Sequence, residues 1–194
     1  MSMTMKSIWA GMAIAALAAC SPPVENGSTD EVLSAAQGAP EATRFTVLVG
    51  GTEIGGMDIQ PTEDGYGIEF EYRNNGRGPT ITESVTLDES GLPVDWTISG
   101  ASTFGNPIDE SFEYVDSEAR WRDATGSDQA IPDGDAFYVP QDASPYWLAI
   151  AARALLARDD MSMAAIPGGE LRLSEVEQLS VSNGEASRDV TAYG

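Results

Sequence analysis

The chain has 194 residues, of which 42% are hydrophobic, and a formal net charge of −21, so it is large enough for one folded domain and is repelled by nucleic acid phosphates. It contains no histidine and a single cysteine, which excludes Ser-His and Cys-His catalytic pairs, histidine-ligated zinc and an internal disulfide. We therefore expect no nucleic-acid partner, no cofactor, and no catalytic residue or metal ligand in this chain.

The first nineteen residues predict a signal peptide. Lys6 supplies its positive charge, and an apolar run over residues 8–17 follows. The run is shorter than the roughly 18 residues of a membrane-spanning helix. The next residues, Leu17-Ala18-Ala19-Cys20, resemble the lipobox of bacterial lipoproteins. The alternative is an ordinary signal peptide whose cysteine is incidental.

The lipobox resemblance implies an exported protein whose mature chain begins at a lipidated Cys20. The lipid would anchor the chain in a membrane, facing the periplasm. Ser21 rather than Asp at the next position implies the outer membrane if the host is Gram-negative. Residues 20–42 are rich in Pro, Gly, Ser and Ala, and we interpret them as a flexible tether.

Residues 43–194 predict a single domain in which strands come first. Apolar and polar residues alternate with the period of two that is typical of half-buried strands. The predicted strands cover residues 45–49, 54–59, 66–72, 80–87, 94–98, 110–115 and 119–122. A polar loop is predicted over residues 123–134, followed by a short strand at 136–139 and two last strands near 170–181 and 187–193.

One helix is predicted, over residues 144–158. Ser144 suits its N-cap, Pro145 its first position, and Arg158 its last turn. Because the helix is apolar almost all round, it must be covered by other elements. The predicted fold class is α+β, mainly β: a curved antiparallel meander with the helix packed across its concave face.

Several polar motifs are better explained by local structure than by chemistry. The aspartates of residues 123–128 and 133–135 lack the spacing of a calcium-binding loop and suit turns. Glu69 and Glu71 share one strand face, as paired catalytic carboxylates do, but an exposed alternating face explains them better. The glycine pairs at 50–51 and 55–56 fit no phosphate-binding motif.

The aromatic residues of the sheet and helix suggest two interpretations. A curved sheet closed by an apolar helix can hold a lipid or another apolar ligand. The residues proposed for such a pocket are Tyr72, Trp96, Trp121 and Trp147. The alternative is that these side chains form the ordinary core of the domain.

Three stretches carry a second resemblance: FTVLVGGTEIGG at residues 45–56, FEYRNNGRGP at 70–79, and AARALLA at 151–157 followed by IPGGELRL at 166–173. They resemble the β-rich N-terminal region of exported amidohydrolase-superfamily proteins, in which a small sheet domain precedes a metal-dependent barrel. The family's His-x-His metal ligands have no counterpart here. The resemblance therefore implies a parent hydrolase whose chemistry lies outside this chain.

Two functional hypotheses follow. The first is a non-catalytic, lipid-anchored β-domain of the cell envelope that positions a hydrolase barrel, in the same chain or a separate one. The alternative is a free-standing envelope lipoprotein that binds a lipid or other apolar ligand between sheet and helix.

Overall fold

The computed structural model describes residues 42–182, 184 and 186–194. The predicted signal peptide, Cys20 and nearly all of the predicted tether lie outside these residues. In the part of the chain that is described, no helix has both the length and the apolar character needed to cross a lipid bilayer.

Eight strands form one antiparallel sheet in which every strand pairs with its neighbours in sequence. The strands are β1 (Thr43–Val49), β2 (Thr52–Pro61), β3 (Gly65–Tyr72), β4 (Thr80–Leu87), β5 (Pro93–Ala101), β6 (Pro107–Val115), β7 (Glu118–Asp123) and β8 (Gly126–Ala130). The predicted meander is confirmed. Short turns make this order possible: Gly50 and Gly51, between β1 and β2, have φ angles of 58° and 81°, which suit a tight hairpin.

The sheet has an inner face, which we define by the buried side chains that alternate along β2 to β7. They include Ile59, Ile68, Val85, Trp96, Ile98 and Phe112. On the opposite, outer face the side chains are exposed, as for Glu69 and Glu71. The period of two in the sequence therefore translates directly into one covered and one solvated face.

A second sheet of three strands packs on the inner face. It comprises β9 (Ala136–Tyr138), β10 (Ser162–Ile166) and β11 (Glu170–Arg172), with β9 and β10 parallel. Phe137 lies edge-on to Trp96 with ring centroids 6.5 Å apart, and Tyr138 stacks on Phe112 at 4.4 Å. These aromatic contacts fix β9 against the centre of the large sheet.

The helix α1 (Trp147–Leu156) connects β9 to β10. Its buried residues are Ile150, Ala151, Ala154 and Leu155. From its exposed side Arg153 donates hydrogen bonds to the hydroxyls of Tyr66 (3.1 Å) and Tyr146 (3.0 Å). The helix thus covers the inner face, and the predicted fold class is confirmed.

Helix α1 differs from the prediction in length and in capping. It is shorter than residues 144–158, and Tyr146, with no side-chain capping bond, occupies the N-cap position predicted for Ser144. The cap prediction was wrong because the residues after Ser144 first form a turn, in which the N–H of Trp147 donates to the Ser144 carbonyl oxygen at 3.3 Å, and the helix begins later. Leu148 and Leu156 are 56% and 49% exposed, so the helix is not covered all round.

Three strand predictions were also wrong. Strand β8 lies within the predicted polar loop, because its backbone pairs with β7 whatever its side chains. Strand β10 was not predicted. The predicted strand 170–181 is divided into β11 and β12 (Glu175–Ser182), and β12 forms a separate hairpin with β13 (Ser187–Tyr193).

Gly55 lies where two backbones come very close. A methyl group at Gly55 would lie 2.1 Å from the carbonyl oxygen of Glu71, whereas one at Gly67 of the adjacent strand would lie 3.9 Å from its nearest neighbour, the carbonyl oxygen of Gln60. The first position therefore excludes a side chain and the second tolerates one.

We expect Gly55→Ala to lower the free energy of unfolding by about 1–3 kcal/mol, because β2 and β3 must separate to admit the methyl group. Gly67→Ala, the matched control, should change it by less than about 1 kcal/mol. Urea unfolding followed by tryptophan fluorescence measures both. Equal effects of the two variants would contradict the close approach at Gly55.

Candidate ligand-binding site

Two glutamates are buried on the inner face of the sheet. Glu83 of β4 is 3% exposed and Glu110 of β6 is 2% exposed. Ile98 of β5 is paired with both of them, so the three residues form one row across the sheet. A buried carboxylate requires hydrogen-bond donors, since its desolvation is otherwise costly.

Glu110 obtains its donors from β9 and from the residues after it. Its Oε1 accepts hydrogen bonds from the hydroxyl of Tyr138 (2.7 Å) and the backbone N–H of Gln141 (2.9 Å). Its Oε2 accepts one from the backbone N–H of Asp142 (2.9 Å). We call residues 139–145, between β9 and the N-cap of α1, the covering segment.

Glu83 binds the far end of the same segment. Its Oε1 accepts the backbone N–H of Ser144 at 2.5 Å, and its Oε2 accepts the indole N–H of Trp96 at 3.1 Å. The two glutamates therefore attach the covering segment to the inner face at both of its ends.

Burial changes the acidity of these groups. Desolvation raises the pKa of Glu83, and the nearby Glu110 charge adds to this, while hydrogen bonds from Ser144 and Trp96 oppose it. Burial also raises the pKa of Tyr138 far above its ordinary value, and its hydrogen bond to Glu110 acts in the same direction. Tyr138 is therefore a hydrogen-bond donor at every physiological pH.

A cleft of about 340 Å³ lies between the covering segment and one end of the inner face. It is open to solvent, and we call it the apolar cleft after the apolar side chains of its floor, although polar side chains form much of the rest of its lining. Its floor is formed by strands β3, β4 and β6, and its opposite wall by the covering segment. The residues that line it include Phe70, Tyr72, Ile108, Thr103, Asp142 and Ala143.

The four residues predicted for an apolar pocket are placed differently from one another. Tyr72 lines the apolar cleft, and none of the three tryptophans does. Trp96 is fully buried and Trp121 is 9% exposed, both within the core cluster. Trp147, the first residue of α1, is partly buried against that core. The tryptophans occupy the core, which is the alternative interpretation given for them.

A second cleft, of about 450 Å³, adjoins the first. We call it the arginine cleft, because Arg73 and Arg77 line it together with the exposed Phe104. Ser102 and Thr103 line both clefts. The two clefts therefore meet across these two residues.

Asp123, one of the aspartates that the sequence assigns to turns, takes that role. The carboxylate of Asp123 accepts hydrogen bonds from the backbone and hydroxyl of Thr125, which is turn geometry. These bonds lower the pKa of Asp123. Within residues 42–194 as described, no three His, Cys, Asp or Glu side chains are grouped so that they could hold a metal ion.

Comparison of the chain with protein-family models, with curated proteins and with solved structures finds no match. The resemblances to bacterial lipoproteins and to the amidohydrolase N-terminal region therefore stay predictions from the sequence.

Sequence reasoning missed both buried glutamates, although a signal for them exists. Glu83 stands between Ile81 and Val85, and Glu110 between Ile108 and Phe112, at the apolar positions of alternating strands. A carboxylate at such a position is buried, and it needs donors from whatever packs on the sheet. The pattern does not reveal which segment supplies them.

We expect the stability contributed by Glu83 to be largest below a pH of about 4.5, its ordinary pKa. It should be lost as the pH rises through the raised pKa of the folded state, because unfolding then transfers a buried carboxylate into water. Glu83→Gln cannot ionise, so the free energy of unfolding of the wild type should fall relative to this variant between pH 4.5 and pH 8.

Urea titrations at several pH values measure this difference. Glu69→Gln, on the exposed face of β3, is the matched control, because it removes the same charge from the surface. Parallel stability profiles for the wild type and Glu83→Gln would contradict the prediction.

Proposed function

We propose that this chain is a lipid-anchored domain of the cell envelope that binds an apolar ligand in the apolar cleft. The observation that carries the proposal is the cleft itself. It is bounded by an apolar sheet end on one side and by the glutamate-bound covering segment on the other.

The size and lining of the cleft support this role. Its volume of about 340 Å³ falls in the range of about 300–1,000 Å³ that is typical of small-molecule sites. Phe70, Tyr72 and Ile108 supply apolar surface, and Ser102 and Asp142 supply polar groups at its margin. Such a combination binds an apolar body and orients it by a few polar contacts.

The site is also largely formed before a ligand arrives. Its floor consists of paired strands, and its wall is held by the hydrogen bonds of Glu110 to the backbone of Gln141 and Asp142. A preorganised site loses less conformational freedom on binding than a mobile one. The buried glutamates thus hold the wall of the site in place. This structural role supports a binding function for the domain rather than acid–base catalysis by the two carboxylates.

The neutral fluorescent probe N-phenyl-1-naphthylamine tests the cleft. We expect saturable binding to the wild type and at least about tenfold weaker binding to Thr103→Trp, because the indole fills the space that the ligand needs. Thr97→Trp, on the exposed face of β5, is the matched control and should bind like the wild type.

Ala143→Trp places the same obstruction on the opposite wall of the cleft. Circular dichroism confirms that each variant is folded. Wild-type affinity in both cleft variants, or no saturable binding by the wild type, would contradict the proposal.

The membrane anchor is a separate part of the proposal, because Cys20 lies outside the described residues. We expect expression in a Gram-negative host to yield a membrane-associated protein whose N-terminal peptide carries acyl chains on Cys20, measured by mass spectrometry. Cys20→Ser should move the protein to the soluble fraction, since each buried CH₂ of a lipid contributes roughly 0.8 kcal/mol. An unmodified Cys20 peptide in the wild type would contradict the anchor.

A second candidate function is the positioning of a hydrolase barrel, in the same chain or a separate one. The hairpin of β12 and β13 supports it, because Leu179 and Val181 are 39% and 54% exposed on one face of the hairpin. These two side chains would be covered if another domain packed on this face of the hairpin. This candidate requires a coding sequence for a His-x-His barrel directly downstream or in a neighbouring gene.

A further inference from the structure

The arginines of this protein differ in how their charges are balanced. Five of them form ion pairs with carboxylates: Arg44, Arg120, Arg122, Arg158 and Arg172. In contrast, Arg73 and Arg77 of the arginine cleft have no carboxylate partner among the described residues. In a chain of net charge −21, two such arginines in one cleft form a local positive site.

Each of the two arginines is presented from a fixed loop. The Arg73 guanidinium donates to the carbonyl oxygens of Gly78 (2.7 Å) and Pro79 (2.9 Å) and to the hydroxyl of Thr80 (2.7 Å). These acceptors are neutral, so the positive charge of Arg73 is retained. Arg77 closes a tight turn with Asn74 through two backbone hydrogen bonds, and its guanidinium is exposed with no hydrogen-bond partner among the described residues.

The loop opposite the arginines is ordered as well. The backbone N–H of Asn106 donates to the Ser102 hydroxyl at 3.2 Å, and the N–H of Gly105 donates to the Ser102 carbonyl oxygen at 2.9 Å. Phe104, at the tip of this turn, is 78% exposed. An exposed aromatic ring that lines the same cleft as two arginines offers apolar contact on a positively charged surface.

The two clefts together present apolar residues at one end and positive charge at the other, and this arrangement indicates the kind of ligand that would fit. The apolar cleft provides Phe70, Tyr72 and Ile108, then Ser102 and Thr103 form the shared border, and Arg73 and Arg77 follow. The one carboxylate on the cleft lining, that of Asp142, belongs to the covering segment and lines only the apolar cleft. Positive charge is therefore found at only one end of the combined site.

We propose that the ligand is a single-chain anionic amphiphile, a hydrocarbon chain that ends in a carboxylate. Its chain occupies the apolar cleft, and its carboxylate crosses the border at Ser102 and Thr103 to bind Arg77, with Arg73 adding positive charge. Charge complementarity selects this occupant, since an arginine binds a carboxylate through charge-assisted hydrogen bonds. This inference rests on the proposed function, because it requires the apolar cleft to bind a ligand.

Isothermal titration calorimetry with three probes of equal chain length tests the inference. The probes are dodecanoate, the cationic dodecyltrimethylammonium and the neutral dodecanol, all below their aggregation limits. We expect the wild type to prefer dodecanoate over the cationic probe. Arg77→Gln should weaken dodecanoate binding about tenfold and leave dodecanol binding unchanged, because only the charge-assisted contact is lost.

Arg188→Gln is the matched control, because Arg188 lies in β13 and lines neither cleft. It lowers the positive charge of the protein by the same amount. It should bind all three probes like the wild type.

The outcomes separate this inference from the proposed function. Equal binding of the anionic and cationic probes, or an equal loss of dodecanoate binding in Arg77→Gln and Arg188→Gln, would overturn the anionic ligand and leave the apolar cleft in place. Failure of dodecanol and N-phenyl-1-naphthylamine to bind would instead overturn the proposed function and, with it, this inference.

Discussion

The architecture depends on two buried carboxylates that bind main-chain N–H groups. A covering segment with irregular backbone cannot pair its own donors as a strand or helix does, so the N–H groups that it buries need other acceptors. Glu83 and Glu110 supply acceptors from the sheet itself. A carboxyl group is suited to this task because its two oxygens can accept several hydrogen bonds at once. The position of helix α1 follows, since the segment leads directly into it.

The arginines on the surface of the molecule differ in the partners that balance their charges. Most of its arginines are matched to a nearby carboxylate, and Arg153 is matched to the tyrosines Tyr66 and Tyr146. Arg73 and Arg77, in the cleft that adjoins the apolar cleft, have no carboxylate partner among the described residues. A strongly acidic protein repels anions at long range, so only a local site of this kind makes an anion a suitable ligand.

The sequence predicted the parts of this fold that depend on local pattern. Alternating residues such as Ile68 and Phe70 identified the strands and their buried face, and the short turns identified a meander. Strands whose side chains do not reveal their pairing were not predicted. Strand β8 has a polar sequence. Strand β10 pairs with β9, which lies on the other side of helix α1 in the chain. Most residues of the candidate site were not predicted, for a related reason. Tyr72 was found because it is aromatic, but Arg77 and Thr103 become neighbours only through loops that join different strands.

The meander allows the large sheet to form in the order in which the chain is synthesised. Each strand of the large sheet pairs with the strand just before it, so a chain synthesised from its N-terminus can complete this sheet before the covering segment is made. The hydrogen bond from Ser144 to Glu83 spans 61 residues, whereas every pairing in the large sheet joins consecutive strands. Contacts between distant residues cost more chain entropy and form later. The covering segment is therefore synthesised only after the sheet that it covers, and the cleft between them cannot form before both are present.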